Sequence, residues 1–504
     1  MTAAEEEFVV EFGPLEQRGL LLGVSGPSLA VAAAGVAAGL AALFTVGGLT
    51  GLLGALTVMV LASGAAFLPV AGAPAAEWAA LIGAYTTRLL TRRTSFRSHA
   101  PTGGTVAGRV GVDLPAPLRR NRTRIAAVPF GGSQAGVIID GDLAIGVLKA
   151  RAASAFLMKQ PGDQVAATSA WADIIGSISD PGSPWVRLQW RDATAPVDSG
   201  ALASFVADAM CPQARHPGTP EHAARTTYER LTRQAAPASE SHQVLLCLAL
   251  DPKRLARQVK DAGRGDPAIA AVVLRHLEQF AYKLAASDIL VEGILTPRQL
   301  GQVLREQADP AERLWQSQLV AAGDTGMAGV DPAVGWPLAA DEQFHLLRTD
   351  GAFHTTLWVA EWPRRRTRVD FLAPLLLRTG SVTRIVSVTL TPVDPGTALR
   401  QAESTATSDE SDDALRQRWG IRTSGRRRRE ATAATRREDE LLDGYDDVRF
   451  SGYVTVSAPT VALLEESVAD VMAQARAARL RLVRLAGQQA EAFWYTAPLC
   501  RGVR

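Results

Sequence analysis

Four consecutive arginines, Arg426, Arg427, Arg428 and Arg429, are the densest concentration of one reactive group in the chain. Adjacent guanidiniums suit phosphate or carboxylate binding through forked hydrogen bonds, so nucleic acid, anionic lipid or an acidic protein would each fit the run. Asp409, Glu410, Asp412 and Asp413 precede it and Arg436 and Arg437 follow. Opposite charge blocks of this kind also read as a solvated helical face that binds nothing. Cys211, His216 and His222 are the nearest approach to a metal cluster, but they lack zinc-ligand spacing and a fourth ligand, and a plain loop is the simpler reading. Asp446 and Asp447 stand at what reads as a strand entrance, as turn residues rather than an acid/base pair. No Gly-Lys dipeptide occurs, which excludes a phosphate-cradling loop ending in Gly-Lys-Ser/Thr. The Gly-x-Ser-x-Gly elbow and the His-Glu-x-x-His helix are absent as well. No catalytic, cofactor-binding or metal-binding residue is expected.

The chain has 504 residues, 53 basic and 51 acidic, for a net charge of +2. That balance excludes a protein coating nucleic acid along its whole surface and an acidic disordered chain. Three scattered cysteines, Cys211, Cys247 and Cys500, exclude a disulfide framework. The decisive pattern is elsewhere. No Asp, Glu, Lys or Arg occurs in the 58 residues between Arg18 and Glu77. A span needs about 20 apolar residues, so the stretch suits two transmembrane helices, about 28–46 and 49–68. Gly47-Gly48 supplies the reversal and Pro69 marks the end. A buried soluble helix pair rarely runs this far without a charge, and a signal peptide is several times shorter. Arg18 precedes the first span, Arg88, Arg92, Arg93 and Arg97 follow the second, and the turn carries no arginine. The positive-inside rule then puts both termini on the cytoplasmic side of the inner membrane. Trp78 and Tyr85 stand where interfacial aromatics settle, or pack within an amphipathic helix over 75–90. Gly35 and Gly39 form a small-xxx-small pattern that lets helices approach closely.

The remaining residues alternate between strand and helix patterns. Residues 99–132, rich in Gly, Pro and Arg, read as a linker. A first α/β subdomain, 133–310, opens with a hairpin about Gly141-Asp142 and closes with a helix capped by Thr296, Pro297 and Gln299. A linker at 311–341 leads to a second subdomain, 342–504, with a long charged helical insertion at about 395–442. Both follow the order hairpin, helix, strand, helix, strand, helix, strand, helix. The expected fold class is α+β: the two-helix hairpin with its juxtamembrane helix (1–98), then an internally duplicated α/β sandwich with mostly antiparallel sheets, helices packed on one face.

The opening Phe12-Gly13-Pro14-Leu15-Glu16-Gln17-Arg18-Gly19-Leu20-Leu21-Leu22-Gly23 resembles the PrgI family, as do Ala66-Phe67-Leu68-Pro69-Val70, Glu77-Trp78, and Tyr85, Arg88, Arg92, Arg93, Phe96, Arg97 and Ser98. These are two-span inner-membrane subunits of Gram-positive conjugation (type IV secretion) machines. The remainder, with Asp447-Val448-Arg449-Phe450-Ser451-Gly452-Tyr453-Val454-Thr455-Val456, is similar to the non-ATPase region of the assembly ATPase of those machines. The resemblance implies a non-enzymatic membrane scaffold that docks a separate assembly ATPase and further membrane subunits, as an oligomer within the assembly. An EccE-like subunit of type VII secretion and a membrane-bound enzyme with a dispersed site are the alternatives.

Overall fold

The apolar stretch folds into two antiparallel helices, α1 (Gly26–Val46) and α2 (Gly48–Phe67), in the computed structural model of the protein. Described are residues 26–67, 73–98, 113–152, 156–180, 182–196, 216–235, 240–285, 287–313, 329–363, 365–377, 382–394, 396–400 and 447–503, with a few isolated positions besides. Gly47 and Gly48 make the reversal, both at φ +62, a conformation that costs glycine little and other residues more. Gly35 and Gly39 lie in the seam between the helices. A Cβ on Gly35 would fall 2.1 Å from that of Ala62, and one on Gly39 would fall 2.9 Å from Met59 Cγ. The small-xxx-small pattern therefore holds α1 against α2. Both helices are long and apolar enough to cross a membrane. Their outer faces lie bare: Phe44 is 83% exposed, Leu49 75% and Leu61 68%. A water-soluble core helix would bury such side chains. Helix α3 (Ala75–Leu90) follows and packs on the base of this hairpin.

Among the described residues thirteen strands then form one sheet: β1 (Ser95–Arg97), β2 (Arg124–Phe130), β3 (Ser133–Asp140), β4 (Leu143–Ala152), β5 (Trp185–Pro196), β6 (Glu240–Leu250), β7 (Ile289–Ile294), β8 (Ala339–Glu342), β9 (Leu347–Arg348), β10 (Phe353–Glu361), β11 (Thr383–Pro392), β12 (Val448–Ala458) and β13 (Arg481–Arg484). Every pairing is antiparallel. The spatial order is β1-β8-β9-β10-β12-β11-β5-β6-β4-β3-β2, with β7 on β4 and β13 on β10. The order β3-β4-β6-β5 in one half matches β9-β10-β12-β11 in the other. Strands β7 and β13 occupy corresponding places. The halves join where β5 and β11 pair from Leu188↔Leu390 to Thr194↔Arg384, centred on Arg191↔Ser387. An antiparallel pairing of equivalent strands relates the halves by an approximate two-fold axis normal to the sheet.

Three sequence expectations change here. The halves do not form separate sheets, because the open edges of β5 and β11 satisfy each other's backbone groups. The 311–341 linker contains part of β8 and a buried Trp336, and the 99–132 linker contains β2. The helices also cover both faces. On one face α4 (Pro161–Ser179) and α6 (Gly265–Ala285) bury Ile174, Leu274, Leu277 and Phe280 over Leu148, Leu246 and Leu248. Gly146 admits α6 there, since a Cβ would meet Leu277 Cδ2 at 2.7 Å. Helix α8 (Val461–Ala477) covers Val454, Val456 and Val386 of the second half on the same side. The opposite face lies under α7 (Pro297–Ala308) and residues 489–500. The cause is alternation: central strands such as β6 bury both Leu246 and Leu248 on one side and Leu245, Cys247 and Ala249 on the other. The expected cap of α7 forms, with Thr296 accepting from the Gln299 amide and Gln299 answering the Thr296 amide. Between α4 and α6, α5 (Pro220–Ala235) is largely exposed, with Tyr228 and Leu231 in solvent.

Candidate functional site

The described parts of the chain on either side of the hairpin hold on to the folded body. After it, α3 turns one face, Trp78, Leu81, Tyr85 and Arg88, away from solvent at helical spacing. Tyr85 meets the Phe344 ring edge-on at 5.2 Å. The Arg88 guanidinium donates to the carbonyl of Gly487 and lies within 3.5 Å of the buried Glu342 carboxylate, which also accepts from the Ala490 amide at 3.1 Å. Burial raises the Glu342 pKa, and its bond from Ala490 and the charge of Arg88 oppose the rise. Gly487 stands at φ +68, and a Cβ there would crowd Phe344 at 3.2 Å. Before the hairpin, Val9 and Val10 pair with Arg368 and Thr367. Phe12 stacks on Trp362 at 5.3 Å and meets Phe371 and Phe450 edge-on or tilted. Aromatic pairs of this kind are worth about 0.5–1.5 kcal/mol beyond their burial.

The residues chosen for topology thus divide. Tyr85 and Arg88 serve the contact between helix and sheet. Arg97, in β1, makes a two-pronged pair with Asp341 at 3.1 and 2.7 Å, so it fastens a sheet edge. Arg92, at φ +53, and Arg93 are exposed just beyond α3, and Trp78 is half-buried on α3. Arg18, Cys211 and the run Arg426, Arg427, Arg428 and Arg429 lie outside the described residues. Nothing in the local sequence of Glu342, Phe344 or Gly487 says that they meet the hairpin's flanks.

The buried polar groups of the sheet mostly bind its C-terminal cover. Gln189 Nε2 donates to Ser387 Oγ at 2.8 Å and to the carbonyls of Tyr495 and Ala497, while its Oε1 accepts from the Cys500 amide at 2.8 Å. Arg191 donates to the Thr496 carbonyl at 2.9 Å, and burial lowers its pKa to about 10. Arg501 pairs with Asp140, which also accepts from Thr123 Oγ1 at 2.6 Å. His354 is fully buried between Thr349 Oγ1 at 2.6 Å and Ser457 Oγ at 2.7 Å, and burial depresses its pKa to about 3. It is a neutral structural imidazole. Burial lifts the thiol of Cys247 to about 12 and raises that of Cys500, so neither is a ready nucleophile. On the α6/α8 face, His242 Nδ1 lies 3.0 Å from Asp192 and 3.3 Å from Thr194 Oγ1, and Arg384 lies 3.6 Å from Glu240. Hydroxyl and carboxylate share one ring nitrogen, so the trio lacks the relay geometry of a nucleophilic triad.

A small cleft lined by Arg191, Glu306, Gln307 and Arg313 has room for about one water. Burial raises the Glu306 pKa. Among the described residues no group of three or more His, Cys, Asp or Glu could hold a metal ion.

No protein-family model and no curated protein matches the chain. The hairpin and its two attachments to the folded body are the strongest functional feature on physical grounds alone.

Proposed function

We propose that the protein is a non-enzymatic subunit of a conjugation-like, type IV secretion apparatus, held in the inner membrane by α1 and α2 with both termini cytoplasmic. The sheet body would sit at the cytosolic face and dock a separate assembly ATPase. One observation carries the anchoring half of this reading: a hairpin with bare apolar flanks is attached to a folded body both before and after its spans. Burial of those flanks in hydrocarbon removes apolar surface from water at about 25 cal/mol per Å². The sequence resemblance to PrgI-like hairpins supports the assignment to a conjugation machine, and the body offers outer sheet edges at β1 and β2 to partners.

The test is purification of the intact protein from its own membranes in mild detergent, followed by identification of the ATPase that accompanies it. A conjugation-type assembly ATPase supports the reading, and an FtsK-type motor replaces it with a type VII assembly. Nucleotide hydrolysis by the pure protein without partners would refute the non-enzymatic part.

A further inference from the structure

Helix α3 has two faces, one of which is accounted for. The face built from Trp78, Leu81, Tyr85 and Arg88 turns toward the rest of the protein. One residue further on, rotated by about 100°, runs a second stripe: Ala79, Ile82, Thr86 and Leu89. All four are exposed, Ile82 by 46% and Leu89 by 52%, and Leu90 beside them is 85% exposed. This stripe belongs to the helix that packs on the base of α1 and α2, whose own outer faces are bare and apolar. Arg92 and Arg93, both exposed, stand at its C-terminal end.

We propose that α3 lies in the interface of the bilayer, with Ile82, Leu89 and Leu90 sunk among the upper acyl chains and Arg92 and Arg93 at anionic headgroups. This rests on the reading of α1 and α2 as membrane spans. The lipid surface is the occupant that continuity dictates: a helix seated at the foot of a membrane hairpin has the leaflet on one side and the body on the adjacent side. An amphipathic helix with apolar residues on one face and arginines beside them binds such an interface through buried apolar area plus attraction to anionic lipid. Tyr85 and Arg88 then pass the orientation of α3 to the sheet, so that the body is held at a set angle to the membrane instead of swinging on a tether.

The full-length protein with Cys211→Ser, carrying one added cysteine at a time with an environment-sensitive fluorophore, tests this in vesicles of phosphatidylcholine and phosphatidylglycerol. The native Cys247 and Cys500 are buried. Labels at Ile82→Cys and Leu89→Cys should be quenched by nitroxide-labelled acyl chains about twofold or more strongly than one at Thr87→Cys, on the far side of α3. Leu53→Cys in α2 reports on the hairpin. Strong quenching at 53 with weak, equal quenching at 82, 87 and 89 would overturn the inference and leave the spans standing. Weak quenching at 53 as well would overturn both. A cooperative melt matching that of the parent shows that each labelled protein is folded.

Discussion

Arg501 and Asp140 form an ion pair withdrawn from water, with side-chain exposures of 10% and 2%. Removing one partner of such a pair leaves the other charge buried and uncompensated. Arg501→Ala should therefore destabilise the body by about 3–5 kcal/mol, measured as a lowered denaturation midpoint of the detergent-solubilised protein. His242 gives a weaker, pH-dependent contribution. Its hydrogen bond to Asp192 raises its pKa, burial opposes this, the charges of Asp192 and Glu240 assist, and that of Arg384 detracts. A raised histidine pKa means that the folded state holds the proton more tightly than the unfolded chain. The stabilisation is thus fully present below about pH 6.5 and fades as pH rises through the folded value. His242→Gln should flatten the pH dependence of stability above that point; an unchanged profile would remove His242 from the account.

At the scale of elements, the seam between α1 and α2 depends on having no side chain at Gly35. Gly35→Leu should push the helices apart, seen as loss of cross-linking between cysteines placed on the two helices in membranes, while the melt of the sheet body stays unchanged. Helix α3 makes the complementary case. Arg88→Ala removes the bond to Gly487 and the positive charge beside Glu342, which keeps the Ala490 amide. Amide exchange in α3 should then rise by a factor that corresponds to about 1–3 kcal/mol, the cost of losing a charge-assisted bond, with little change in β6 or β12. Equal acceleration throughout the sheet would show that α3 belongs to the core.

The whole molecule is organised about the β5–β11 pairing. Strands β11 and β12 share ten residue pairs, from Thr383↔Ser457 to Pro392↔Val448, and the long charged insertion enters and leaves at one end of that ladder. Loop length enters stability only logarithmically. Deletion of residues 409–429 should therefore leave a single cooperative unfolding transition with a midpoint within a few degrees of the parent; a broad or split transition would contradict it. Residues 489–500 work in the opposite sense. Phe493, Trp494, Ala497 and Leu499 are buried, and Gln189, Arg191 and Gln307 bond to carbonyls of this segment. Trp494→Ala should cost about 3–5 kcal/mol, because a cavity opens where the C-terminal segment closes one face of the sheet.

The hairpin was legible in the sequence because its signal is local: an uninterrupted apolar run and a Gly-Gly reversal determine two helices and a turn without reference to the rest of the chain. The same holds for the cap at Thr296, whose donors and acceptors lie within three residues of each other. Period and capping carry that information. Tertiary structure alone decided that the repeated pattern builds one sheet, since the pairing of Arg191 with Ser387 joins strands nearly two hundred positions apart and no local spacing records an edge-to-edge match. It also decided the employment of Tyr85 and Arg88. An aromatic ring and a guanidinium beside a membrane span suit a headgroup region as well as they suit Phe344 and the Gly487 carbonyl, and only the folded chain brings those partners within reach.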